Sequence, residues 1–306
     1  MALSSDSTGT ASGSVVPSTS ASASSSSALT RSARVYREYL AGCLAAMADV
    51  SFIYPVSKAI FRQQLHGVSF QVACAQLVGE GSRHLYRGLL PPLIQKMSTR
   101  ALMFGTYDHY LRKMGVEHSG RERFSLRHAG AAFLAGSTEA LLCPLERVQT
   151  LLQSSAYHGL FRNTLGTFWT LRHYGLVEYY RGLLCILIRN GPSNIIFFGL
   201  RGPVKSLVPE SLGGRTLLAD FISGAVLGGA LSTIFFPINV VKTRTQSVLA
   251  QPFLNPLQVL ALIWRERGRS PRAMFRGVSM NLTRSFLSWG ITNCAYEIVD
   301  GYLKEL

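Results

Sequence analysis

Three cations stand at almost the same place in three parts of the chain. Lys96 lies nine residues after Arg87, Arg189 eight after Arg181 and Arg284 eight after Arg276, and glycine follows each reference arginine. A lysine and two arginines at one depth would make a receptor for an oxygen-rich anion, because each guanidinium fork can take two oxygens and the ammonium acts as a point charge. All three interrupt apolar runs, where an ionised group is costly unless it faces protein or water. The plainer reading of each is a charge that snorkels to a headgroup or a loop partner. Eight helical residues span about 12 Å, nearly half of a hydrocarbon core, so that reach is awkward. Glu139, five residues before Pro144, is the matching acid. It either neutralises a nearby arginine, meets a positive part of a ligand or couples a proton. Asp49 is a weaker case of the same kind.

Bond-making chemistry has no visible seat. The chain carries no phosphate-binding Gly-rich loop, no His-Glu-x-x-His and no Gly-x-Ser-x-Gly, so no catalytic residue is assigned. Cys43, Cys74, Cys143, Cys185 and Cys294 are scattered without a Cys-x-x-Cys pair, which leaves neither a metal site nor a disulfide framework.

The elements that must position the cations come as a repeat. Pro55, Pro144 and Pro237 each end an apolar stretch and open the segments PVSKAIFRQQ, PLERVQTLLQ and PINVVKTRTQ; Tyr86-Arg87-Gly88, Tyr180-Arg181-Gly182 and Phe275-Arg276-Gly277 follow 32 to 39 residues later. Successive prolines lie 89 and 93 residues apart and successive Arg-Gly pairs 94 and 95 apart, so both landmarks share one long period. Apolar runs near 38–56, 89–107, 128–145, 182–200, 217–241 and 277–299 supply two long helices per repeat. Each proline removes a backbone hydrogen bond and is expected to kink its helix. Gly42, Ala131 and Gly224, with Ala46, Ala135 and Gly228 four residues on, are spaced for close helix contact.

A net charge of +15 and a pI near 10.0 would by themselves suggest nucleic acid or an anionic surface. A hydrophobic content of 47% gathered into six runs excludes a soluble basic binder, so nucleic acid is not a partner. The loops after runs one, three and five are rich in Lys and Arg and poor in acids, which places them on one face of a membrane and both termini on the other. Residues 1–34 are a Ser/Thr/Ala-rich tail with too little apolar surface to order.

Proline, charged segment and aromatic-Arg-Gly, three times in register, resemble the mitochondrial carrier family over residues 36–304. The resemblance implies an all-α membrane protein of six transmembrane helices in three pseudo-symmetric repeats around a central cavity, with short helices on the matrix side. Repeats fall at 35–115, 124–209 and 215–306. The expected location is the mitochondrial inner membrane, multi-pass, with both termini in the intermembrane space and inner-membrane lipid such as cardiolipin around a functional monomer. In the family an acid two residues after proline pairs with a base five after proline in the next repeat, closing the matrix side. Here those positions hold Ser57, Glu146 and Asn239 against Ile60, Gln149 and Lys242, so only Glu146 with Lys242 is left to pair. Gln64, Gln153 and Gln246, nine residues after each proline, complete a closure built otherwise on neutral hydrogen bonds. At the opposite end Tyr107-Asp108 and Tyr296-Glu297 keep the family's aromatic-acid pattern, whereas Arg201-Gly202 departs from it.

Blocks such as LYRGLLPPLIQK (85–96), YYRGLLCILIRNG (179–191), FFGLRGP (197–203) and RSFLSWG (284–290) are similar to the NAD-carrying branch of that family. That similarity implies import of an anionic dinucleotide, NAD, as transported substrate rather than cofactor, with Lys96, Arg189, Arg284 and Glu139 at substrate-contacting positions. Two alternatives stay open: a carrier for another phosphorylated or carboxylated metabolite, and a non-transporting membrane scaffold with the same fold.

Overall fold

A computed structural model describes residues 20–116, 124–207 and 216–305. Every regular element among them is helical: α1 (Ser20–His66), α2 (Phe70–Gly79), α3 (Ser82–Leu85), α4 (Leu90–Lys113), α5 (Leu126–Thr138), α6 (Cys143–Gln153), α7 (Thr164–Arg172), α8 (Leu183–Ser206), α9 (Thr216–Ile234), α10 (Phe236–Gln246), α11 (Pro256–Glu266), α12 (Pro271–Met274) and α13 (Val278–Glu305). Helix α1 begins at Ser20, so residues 20–34 of the expected unstructured tail are helical. Extending a helix that already exists costs far less than nucleating one, and the Ala, Leu and Arg of this stretch propagate it well. Residues 1–19 lie outside the described residues.

The three prolines act differently. A 3-10 turn, Glu139–Leu142, separates α5 from α6, whose second residue is Pro144. The segments Ile222–Ile234 and Phe236–Gln246 meet at 66°, with Pro237 just past the bend. Both prolines thus sit in a first helical turn, where a missing N–H costs nothing. Pro55 lies inside α1, which continues through it to His66.

Among the described residues, two helical stretches, Leu40–His66 and Leu176–Val204, are long and apolar enough to cross a membrane, and the bent pair makes a third if taken as one span. Helices α4 and α13, with 24 and 28 residues, have the length. Their polar and charged residues, Lys96 and Arg284 among them, lower their hydropathy.

The long helices close into a ring. Around it, α1 packs on α4, α4 on α5, α5 on α8, α8 on α9, α9 on α13 and α13 back on α1. The seam of α5 against α8 is close, since Ala131 and Ala135 are fully buried and a side chain at Gly136 would stand 2.5 Å from the Asn190 carbonyl oxygen. Among the described residues, the close approach expected at Gly42, Gly224 and Gly228 does not occur, since a Cβ at any of them would meet nothing within 4 Å.

The Arg-Gly landmarks turn out to be clamps between neighbouring repeats. Arg87 donates to the Tyr157 carbonyl of the second repeat at 3.3 Å, Arg181 to the Gln251 carbonyl of the third, and Arg276 to the Gly67 carbonyl of the first at 2.6 Å. The glycines beside them all have positive φ, 84°, 87° and 99°. Each backs onto the next repeat: added Cβ atoms would lie 2.9 Å from Leu152 at Gly88, 2.9 Å from Gln246 at Gly182 and 3.2 Å from Gln63 at Gly277. Conformation and proximity both demand glycine there.

Candidate functional site

The ring encloses a cavity of about 870 Å³. Lys96 from α4, Arg189 from α8 and Arg284 from α13 all line it, so the structure brings together one cation from each repeat. Among the described residues, Arg201 and Lys242 bring the lining to five cations against two carboxylates, Asp49 and Glu146. The excess positive charge sits in a space walled by low-dielectric helices, which strengthens its pull on an anion.

Each cation is held differently. Lys96 is paired with Asp49 of α1, which is only 2% exposed and also accepts from the Ser288 hydroxyl at 2.8 Å. Arg189 donates to Asn190 at 2.7 Å and to Asn239 at 3.0 Å, and lies 3.8 Å from Glu146. Arg284 donates twice to the Asn281 side-chain oxygen, at 3.0 and 3.3 Å. Among the described residues it has no carboxylate partner. A guanidinium fixed by neutral amides keeps its full charge available to a ligand.

Glu139 does not join the lining. It lies at the α5–α8 seam, where its two oxygens accept from the Asn190 and Asn194 amides, each at 3.0 Å. Asn190 also accepts from Arg189, so Glu139 reaches that cation through an amide. Asp49, the weaker candidate on sequence grounds, lines the cavity and partners Lys96. The cue was its position on the apolar run that faces α4.

One end of the cavity is closed where α1, α6 and α10 converge. Glu146 accepts from Lys242 at 2.9 Å and from Gln95 at 2.7 Å. Two of the glutamines bond a threonine in a neighbouring repeat: Thr243 donates to Gln64 at 3.0 Å and Thr150 to Gln246 at 3.3 Å. Both threonines lie six residues after their proline, and the first repeat has Phe61 at that place. Gln153 is buried, and among the described residues its side-chain nitrogen makes no close hydrogen bond. The threonines were legible in the sequence only to a reader who already knew which repeat faces which.

The mitochondrial carrier protein profile matches residues 31–117, 121–212 and 213–306. Over 264 residues the chain is 49% identical to the mitochondrial nicotinamide adenine dinucleotide transporter SLC25A51 of Mus musculus, covering 86% of this chain and 88% of the relative. It is 48% identical to the mitochondrial nicotinamide adenine dinucleotide transporter SLC25A52 of Homo sapiens with the same coverage. Identity to solute carrier family 25 member 53 of Homo sapiens is 30% over 273 residues, 86% of each chain. Three matched segments covering almost the whole chain, folded as a ring of long helices whose cavity takes cations from every repeat, show that the protein belongs to the mitochondrial carrier family.

Proposed function

We propose that the chain imports nicotinamide adenine dinucleotide from cytosol to mitochondrial matrix and catalyses no reaction. The observation that carries this reading is the cavity into which Lys96, Arg189 and Arg284 project from three repeats. Relatives named as transporters of that dinucleotide support the choice of substrate. Its pyrophosphate offers oxygens to two guanidinium forks and one ammonium, which is the donor set available.

The same contacts give a route from binding to opening. Arg189 is shared between the cavity and the closure, touching Asn239 and standing 3.8 Å from Glu146. An anion that draws Arg189 toward itself removes one cation from Glu146 and leaves Lys242 as its ionic partner. Lys96 makes the corresponding exchange, from Asp49 to ligand. Only a difference in affinity between the two closed states can drive alternating access, and cations that trade protein carboxylates for substrate oxygens provide one. Glu139 serves this site by holding Asn190 behind Arg189.

In this reading six helices span the inner membrane, α5 joining α6 and α9 joining α10 as bent spans. Both termini face the intermembrane space, the Glu146–Lys242 end faces the matrix, and a single chain suffices, with cardiolipin among the surrounding lipids. Uptake of labelled NAD into liposomes containing the purified chain tests the proposal. Saturable uptake is expected, falling at least tenfold in Arg189→Ala and in Arg284→Ala, since each loses a charge-assisted contact of about 1.5–3 kcal/mol. No NAD uptake by folded wild type, together with uptake of an adenine nucleotide or a dicarboxylate, would overturn the substrate while keeping the carrier. If Lys96, Arg189 and Arg284 can be replaced without loss of function, the protein is a scaffold.

A further inference from the structure

The even helices carry a second register beyond the cations. Eight residues after Lys96, Arg189 and Arg284 come Phe104, Phe197 and Thr292, and all three line the cavity. Eight helical residues rise about 12 Å. Because the Arg-Gly clamps tie the starts of these helices to the closed end, this second level lies two turns further toward the opposite end.

Two of its three members are aromatic and held in place from behind. Phe198 meets Phe104 nearly at right angles with ring centres 5.7 Å apart, and Phe197 likewise at 5.5 Å. Phe198 is itself stacked on Tyr107 at 3.8 Å. Arg201, one turn after Phe197, places its guanidinium 5.2 Å from the centre of the Phe104 ring. This arginine occupies the position, 20 residues after its Arg-Gly arginine, that Tyr107 and Tyr296 fill in the other repeats. Its departure from the family pattern thus coincides with the aromatic side of the cavity.

We infer that Phe104, Phe197 and Arg201 form a second subsite, which holds one heteroaromatic base of the dinucleotide while Lys96, Arg189 and Arg284 hold its pyrophosphate. This rests on the transport reading above. A cation set binds any compact polyanion and does not by itself select a nucleotide. Aromatic faces and a planar guanidinium stack on a base of any identity. The ribose bridges pyrophosphate and base, and the long cation side chains reach along the cavity to shorten the gap. The subsite would therefore favour base-bearing phosphates over bare ones, whichever of the two bases occupies it.

Uptake of labelled NAD into proteoliposomes, with inorganic pyrophosphate as competitor, tests the assignment. Phe104→Leu and Phe197→Leu are each expected to raise KM for NAD by about tenfold, the size of one lost base–aromatic stack. The inhibition constant of pyrophosphate should stay unchanged. Phe104→Tyr and Phe197→Tyr keep the ring and should keep the wild-type KM. Arg201→Gln, at a half-buried position, removes the charge while keeping a long polar side chain and should raise KM several-fold. An unchanged KM in the leucine and glutamine variants overturns the subsite, as does an equal loss for NAD and pyrophosphate, which would mark an effect on closure. Wild-type protein that takes up no NAD would instead sink the transport reading, so the two failures are distinguishable.

Discussion

Glu146 is the residue on which the closed end depends. It accepts from Lys242 at 2.9 Å and Gln95 at 2.7 Å, with Arg189 3.8 Å away. Glu146→Gln leaves two cations without their carboxylate and should cost on the order of 3 kcal/mol. Adding Lys242→Gln should recover part of it, so thermal unfolding of the two single variants and the double variant measures the coupling. The glutamines give a second contrast. Gln153→Met replaces a buried nitrogen that makes no close hydrogen bond among the described residues and should be near neutral, whereas Gln64→Met strands the Thr243 hydroxyl and should cost about 1–3 kcal/mol. The Glu146–Lys242 pair was readable from proline spacing, because the repeat itself supplies the register. Asp49 as partner of Lys96 was not, since the pairing joins α1 to α4 through the angle at which those helices face each other.

Among the elements, the Arg-Gly turns set how one repeat leans on the next. Gly182 has φ +87° and its added Cβ would stand 2.9 Å from Gln246, whereas Gly175, with φ +96°, faces open space. Gly175→Ala pays only the left-handed strain of about 1–2 kcal/mol. Gly182→Ala adds a collision across the seam between repeats and should lower the melting temperature clearly more. Equal losses would show that the seam yields easily. The prolines teach the same lesson about context. Their spacing announced three kinks, yet Pro144 and Pro237 stand at helix starts after a turn and a 66° bend, while Pro55 is carried inside α1. Which form a proline takes depends on the packing that receives the chain after it.

For the molecule as a whole, the joint between repeats one and two carries a half-buried imidazole pair. His84 and His158 are stacked with centres 4.6 Å apart, with Arg87 beside them donating to Tyr157. Burial first, and then the charge of Arg87, pull His158 down from 6.5 to about 4, with His84 and Lys58 acting in the same direction and Glu80 opposing. The folded chain therefore keeps His158 neutral where the unfolded chain would take up a proton. Its contribution to stability is fully present above about pH 6.5 and is lost as the pH falls toward 4. Melting temperature measured across that range should fall for wild type and fall less for His158→Phe, which keeps the stack without titrating.

By itself the sequence determined the threefold repeat, the helical class, the family, the three cations and the one surviving ionic pair. These follow from residue types at fixed separations along a helix or between copies, and such spacing survives whatever the helices do in space. Only the tertiary structure decided that Glu139 turns into the α5–α8 seam while Asp49 enters the cavity. It also decided that Gln64 and Gln246 meet threonines of neighbouring repeats, and that the Arg-Gly motif clamps one repeat to the next. Each of these depends on which faces of two different helices meet, and that is set by helix rotation and crossing under close packing, which leave no periodic signature in the chain.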